Sequence, residues 1–135
     1  MYSAVKISNN VYWVGAVDWN IRDFHGYQTK RGSTYNAYLI MAERPTLIDT
    51  VKAPFKNEMM ARINSVLDPK EIEIIVSNHA EMDHSGCLAE VMAQIKPDAV
   101  YASSMGAKVL KELFVLPQEI IPVRDEDSIS LGNIT

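Results

Sequence analysis

The segment Ile72-Glu73-Ile74-Ile75-Val76-Ser77 is compact, β-branched and almost wholly apolar, and it runs straight into His79-Ala80-Glu81-Met82-Asp83-His84. A short apolar run of this kind reads as a strand buried inside a sheet. Beyond the loop, Leu88, Val91, Met92 and Ile95 recur at the spacing of one helix face, and Pro97 stops the pattern. The chain is therefore committed to a strand-loop-helix unit whose loop carries two imidazoles and two carboxylates within six residues.

Elements on either side extend this unit. Val5-Lys6-Ile7 and Val11-Tyr12-Trp13-Val14, parted by Ser8-Asn9-Asn10, predict an opening hairpin. Asp18 to Ser33 has no clear period and reads as a long loop of functional character. Tyr35 to Met41 and Thr46 to Asp49 read as two further strands about the turn Ala42-Glu43-Arg44-Pro45. Phe55, Met59, Ile63, Val66 and Leu67 then share a helix face that begins near Pro54 and ends at Asp68-Pro69. Ala99 to Ala102 predicts a strand, Ser104 to Phe114 a helix, Glu119 to Val123 a strand, and Asp127 to Thr135 a last strand with a turn at Gly132-Asn133.

Metal binding explains the density of ligand types between His79 and His84. In an extended loop, residues at alternate positions project to one side, so His79, Glu81 and Asp83 converge while His84 turns away into the helix. The natural division gives His79 and Glu81 to one ion and Asp83 and His84 to a second, with the pair roughly 3.5 to 4 Å apart as two-metal chemistry requires. One loop cannot complete both shells and leave room for substrate, so further ligands must come from elsewhere. Imidazole suits zinc and iron alike, whereas the carboxylate of Glu81 hardens the site and favours a redox-capable iron pair. Catalytic zinc with two histidines and one carboxylate stays open as the alternative.

Composition excludes several classes. The formal charge of -4 includes no basic run beyond Lys30-Arg31, so no nucleic-acid or anionic-lipid footprint is visible. No stretch is long and apolar enough for a signal peptide or a membrane span, and the single Cys87 rules out an intrachain disulfide framework; the expectation is a cytoplasmic chain with a small buried thiol. At 135 residues the length suits one core, so residues 1–135 are expected to form one unit. Asp49, at a strand end, is either a support for the metal loop or a turn-initiating residue. Trp13, Trp19 and Tyr27 are packing residues or the rim of a site mouth.

Ser77 to Gly86 closely resembles the metal loop of the flavodiiron proteins, which are built on a metallo-β-lactamase-like domain. Hydrolases of that superfamily carry His at the third position of the loop, and the flavodiiron pattern carries Glu, as Glu81 does here. Asp18 to Tyr27 and Arg31 to Ile40 are similar to the amino-terminal signature of the same family. The resemblance implies an α+β fold, namely the first half of an αβ/βα sandwich of the metallo-β-lactamase-like type. It implies an oxidoreductase that reduces dioxygen to water, nitric oxide to nitrous oxide, or both, at a diiron site fed by FMN in a separate flavodoxin-like domain. Rubredoxin or a similar carrier would supply electrons to a homodimer, or to a homotetramer made of such dimers. Carried over residue by residue, His79 and Glu81 would bind one iron and Asp83 and His84 the other. His25 would stand close to the irons as a hydrogen-bond donor rather than a ligand. The family's remaining ligands have no counterpart in these 135 residues, so the chain is expected to be a piece of a longer protein, with an apolar sheet face awaiting cover. The alternatives are a zinc hydrolase of the same fold and a non-catalytic half-domain that folds against a partner chain.

Overall fold

In the computed structural model, which describes residues 1–135, the predicted buried strand pairs on both of its edges, as a run apolar on both faces requires. In chain order the strands are β1 (Val5–Ser8), β2 (Val11–Trp13), β3 (Ala16–Asp18), β4 (Asp23–Phe24), β5 (Tyr27–Gln28), β6 (Ser33–Tyr35), β7 (Tyr38–Ile40) and β8 (Thr46–Ile48). A 3-10 turn, Ala53–Phe55, leads into α1 (Lys56–Asn64), and a second, Pro69–Glu71, follows it. The buried strand β9 (Ile74–Val76) follows, then α2 (Met82–Ser85), α3 (Leu88–Ile95), β10 (Ala99–Ser103), α4 (Ser104–Leu113) and β11 (Ile121–Val123).

Seven strands form one sheet in the order β1-β2-β7-β8-β9-β10-β11. The first four of these are antiparallel neighbours, whereas β8, β9, β10 and β11 run parallel and are joined by helical crossovers. Register places Leu39 opposite Leu47, Leu47 opposite Ile75 and Ile75 opposite Val100, all fully buried. This row packs under Met59 and Ile63 of α1, Leu88, Val91 and Met92 of α3, and Leu110 of α4. Each such side chain contributes about 1.5 to 3 kcal/mol by leaving water, so the helical face holds the layers together.

The opposite face differs. Tyr38, Ile48, Val76, Tyr101 and Ile121 fall in register across β7 to β11 and keep part of their surface exposed. Residues Asp127, Ile129, Leu131 and Thr135 cross part of this face and leave a depression of about 400 Å³ against Ile48 and Val76. The expected apolar face is thus present, and the fold is the α+β half-sandwich with helices on one side only.

Three sequence expectations change. The strand expected over Asp127 to Thr135 does not form: Gly132 takes φ +91°, Leu131 N donates to Ile134 O at 2.7 Å, and the tail accepts from Glu43 N and Arg44 N instead. The turn it reaches lies between β7 and β8, which are already paired on both edges, so no ladder is open to it. Tyr35 to Met41 is broken at Asn36-Ala37, where Ala37 O accepts from Val14 N and Asn36 Oδ1 accepts from Trp13 Nε1, leaving β6 to pair with β3 in a separate ribbon. Asp18 to Ser33 is not all loop, because β4 and β5 close a hairpin through His25 and Gly26 at φ 51° and 79°. Two successive positive φ values mark the mirror-image turn that suits a two-residue hairpin.

Candidate metal centre

Strand β9 delivers its last ladder bond from Ser77 N to Tyr101 O, after which the chain leaves the sheet. Asp49, at the end of β8, meets it there. The residue is buried, sits at φ 60°, and its Oδ1 accepts from Asn78 N at 2.6 Å and from His79 N at 3.1 Å. Its Oδ2 lies 3.4 Å from His84 Nδ1. Burial raises the Asp49 carboxyl above its ordinary range, against the hydrogen bonds from His79 and Asn78 and the nearby His84. Asp49 therefore supports the loop that begins at Asn78 as well as ending the strand.

The loop itself is not extended throughout. From Met82 it turns into the short helix α2, with Glu81 as the residue before the first turn, so the expected alternation reaches only Glu81. The physical reason is local: Ser85 Oγ donates back to Ala80 O at 2.7 Å and Glu81 O at 3.0 Å, closing a helical turn too short to show a period in sequence. Because the Glu81 side chain makes no cap bond, its carboxylate is free to face outward. Asp83 and His84, adjacent on the turn, approach each other to 3.3 Å between Oδ2 and Nε2.

Glu81 stands between two imidazoles. Its Oε2 is 3.1 Å from His25 Nε2 and its Oε1 is 3.6 Å from His79 Nε2. His79 and His84 rings meet edge to face at 5.2 Å. Ligand atoms of His25, Glu81 and Asp83 all lie within 4.8 Å of one another, so the hairpin histidine joins a three-donor group. Two buried polar atoms, Asp83 Oδ1 and His84 Nδ1, have no hydrogen-bond partner, although His84 Nδ1 faces Asp49. An unpaired buried carboxylate oxygen such as Asp83 Oδ1 fits a bound cation, and imidazole with carboxylate is a donor set for iron or zinc.

His25 is held by a file of rings. Phe24 lies 4.1 Å from it, Tyr35 5.9 Å from Phe24, and Phe55 5.3 Å from Tyr35. The Tyr35 hydroxyl donates to Asp18 Oδ2 at 2.7 Å, and burial together with that carboxylate pushes its pKa well up. Burial would raise Asp18 too, but the bonds from Tyr35, Asn20 N and Ile21 N hold its carboxyl below the usual range.

The site opens into a depression of about 520 Å³ lined by Phe24, His25, Lys52, Glu81, Met82 and Leu113. A larger hollow of about 720 Å³ beside α4 gathers no imidazole, so the chemistry sits in the smaller one. Trp19 and Tyr27 stay exposed, whereas Trp13 packs under the Arg62 guanidinium at 4.7 Å. Cys87 is buried, and burial pushes its thiol up, consistent with an inert packing residue. Thr50, which helps to shape the loop, carried no signal in the sequence, and Ser85 and Gly86 entered it only within the stretch Ser77 to Gly86.

No helix is long and apolar enough to cross a membrane. A family model described as ODP family beta lactamase matches residues 34–134. The chain is 42% identical to the rubredoxin-oxygen oxidoreductase of Megalodesulfovibrio gigas, over 98% of its own length and 33% of that protein. It is 48% identical to the nitric oxide reductase of Moorella thermoacetica over 73% of its length and 25% of that protein. The solved flavodiiron protein of Giardia intestinalis superposes with a TM-score of 0.89 at 34% identity, over 98% of this chain and 33% of that one. The chain thus spans a quarter to a third of the length of these three proteins.

Proposed function

Since the chain belongs to the ODP family beta lactamase and carries the flavodiiron form of its metal loop, we propose that it is the amino-terminal part of a flavodiiron oxidoreductase reducing dioxygen to water, nitric oxide to nitrous oxide, or both. The observation that carries this reading is Glu81, whose carboxylate faces His25 and His79 at 3.1 and 3.6 Å where a hydrolase loop would present a third imidazole. In this reading His79 and Glu81 hold one iron, Asp83 and His84 the other, and the remaining ligands come from later in the longer protein. Held by these residues, iron would supply the redox chemistry of the reduction, and FMN in a flavodoxin-like domain of the longer protein would supply its electrons.

The chain's own side chains orient and exclude. Asp49 fixes the amides of Asn78 and His79 and faces the His84 ring, which sets the direction in which both histidines present nitrogen. His25 Nε2 faces Glu81 Oε2 at 3.1 Å, at the mouth and, in this reading, outside the four ligands. Phe24, Met82 and Leu113 line the entrance with apolar surface, and Glu81 stands half-exposed at its mouth. A rubredoxin-type carrier is the proposed donor, the assembly a homodimer or a pair of such dimers, and the compartment the reducing cytoplasm.

Metal and flavin analysis of the full-length protein tests the reading. About two irons and one FMN per subunit, with consumption of dioxygen or nitric oxide, is the expected result. Zinc at full occupancy with hydrolytic turnover overturns it. Glu81→His is expected to move metal preference toward zinc and to depress reductase turnover.

A further inference from the structure

The His84 carbonyl belongs to the last turn of a four-residue helix and so has no partner within it. A single donor would satisfy it, yet Thr50 supplies two: its backbone N–H at 2.9 Å and its hydroxyl at 2.7 Å. Thr50 is fully buried and follows Asp49, whose carboxylate faces the other end of the same histidine, at Nδ1. Two neighbouring residues thus hold His84 by its backbone and by its ring. Gly86 presses the same helix onto this segment, for a Cβ there would stand 2.8 Å from Ala53 N and 3.2 Å from Lys52 Cα. Rotation of α2 about its axis would carry the His84 ring, and Asp83 with it, away from Asp49, whose Oδ2 is now 3.4 Å from His84 Nδ1, and the Thr50 hydroxyl opposes that rotation.

We infer that Thr50 is a positioning residue for the metal centre: through its paired bonds to the His84 carbonyl it sets the orientation in which His84 and Asp83 meet a shared ion. The inference rests on the diiron reading above. It assigns to the hydroxyl an effect on one ion only, since His79 and Glu81 precede α2, the His79 amide being held by Asp49 and the Glu81 carboxylate facing His25 and His79.

The experiment titrates the metal-free full-length protein with Co²⁺ as the probe, reading two-site affinities and the ligand-field spectrum, and compares the wild type with Thr50→Val and Thr50→Ser. Val keeps the shape and the backbone N–H; Ser keeps the hydroxyl. Thr50→Val is expected to weaken one of the two sites by about 10-fold and alter its spectrum, and Thr50→Ser to restore both to near wild type. Where Val does not fold, Thr50→Ala against Thr50→Ser isolates the same oxygen atom, with the same expectation. Equal affinities in the Val or Ala and Ser proteins overturn the inference while leaving the two-metal reading intact, as does a loss spread equally over both sites. A wild type that binds no pair of ions overturns both.

Discussion

His79 to His84 and His25 reach the same few ångströms of space from supports of unequal stiffness. The first group stands on buried groups that each make two contacts: Asp49 with two amides, Thr50 twice with one carbonyl, Ser85 with two carbonyls. His25 sits at the tip of a hairpin of two-residue strands, half-exposed, anchored by ring packing through Phe24 and Tyr35. The difference separates two tasks. Under the proposed function, residues that would hold metal are placed by buried hydrogen bonds, whereas a histidine that would meet incoming substrate is left on an element able to yield.

Substitutions should expose that inequality. Asp49→Ala strips the acceptor from two amides and the partner from His84, and is expected to destabilise the full-length protein by about 3 kcal/mol in chemical denaturation. A loss below about 1 kcal/mol would show that the loop holds itself. Gly86→Ala places a Cβ 2.5 Å from Met82 O and 2.8 Å from Ala53 N, both backbone atoms that cannot rotate aside. About 1 to 3 kcal/mol should be lost, with weaker metal binding in titration, because α2 must move off residues 52 and 53.

On the hairpin side the effects are smaller. Asp18 has its pKa depressed from 3.8, since hydrogen bonds from Tyr35 and two amides outweigh burial. A depressed carboxyl stabilises the fold above its unfolded value and loses that contribution as pH falls through its folded one. Wild type should therefore exceed Asp18→Asn in stability above about pH 4, with the gap closing under more acid conditions in parallel denaturation curves. A gap independent of pH would mean that shape, not charge, holds the Asp18–Tyr35 pair. His25→Ala should change stability by less than about 0.5 kcal/mol, as exposed positions do, while slowing turnover. A large stability loss would place the hairpin among the stiff supports and remove the contrast.

Legibility in the sequence followed the same division. The Ile72–Ser77 strand, the helix face of Leu88 to Ile95 and the metal-loop residues were readable because burial imposes a period and the ligand types cluster. The β4–β5 hairpin was hidden: strands of two residues have no period, and His25-Gly26 lacks the usual Asn-Gly signature of its turn. His79 and Glu81 approach as the alternation implied, whereas His84, expected to turn away, comes within 3.3 Å of Asp83, since Ser85 closes α2 with its own hydroxyl. The tail from Asp127 failed as a strand because its only neighbours were already paired. Thr50 could not be singled out, for a threonine after a strand-end aspartate has many ordinary uses.

The absence of a side chain at Gly86 has a further meaning for how such a centre can change over generations. Residues 50 to 53 and 82 to 86 touch with no more than a hydrogen atom between them at that point, so neither can drift alone. A substitution in one that widens or turns the backbone has to find its answer in the other. Anyone recombining metal loops between relatives should move the two segments as one inheritance unit, because a loop grafted without its cradle arrives with the right ligands on the wrong hinge.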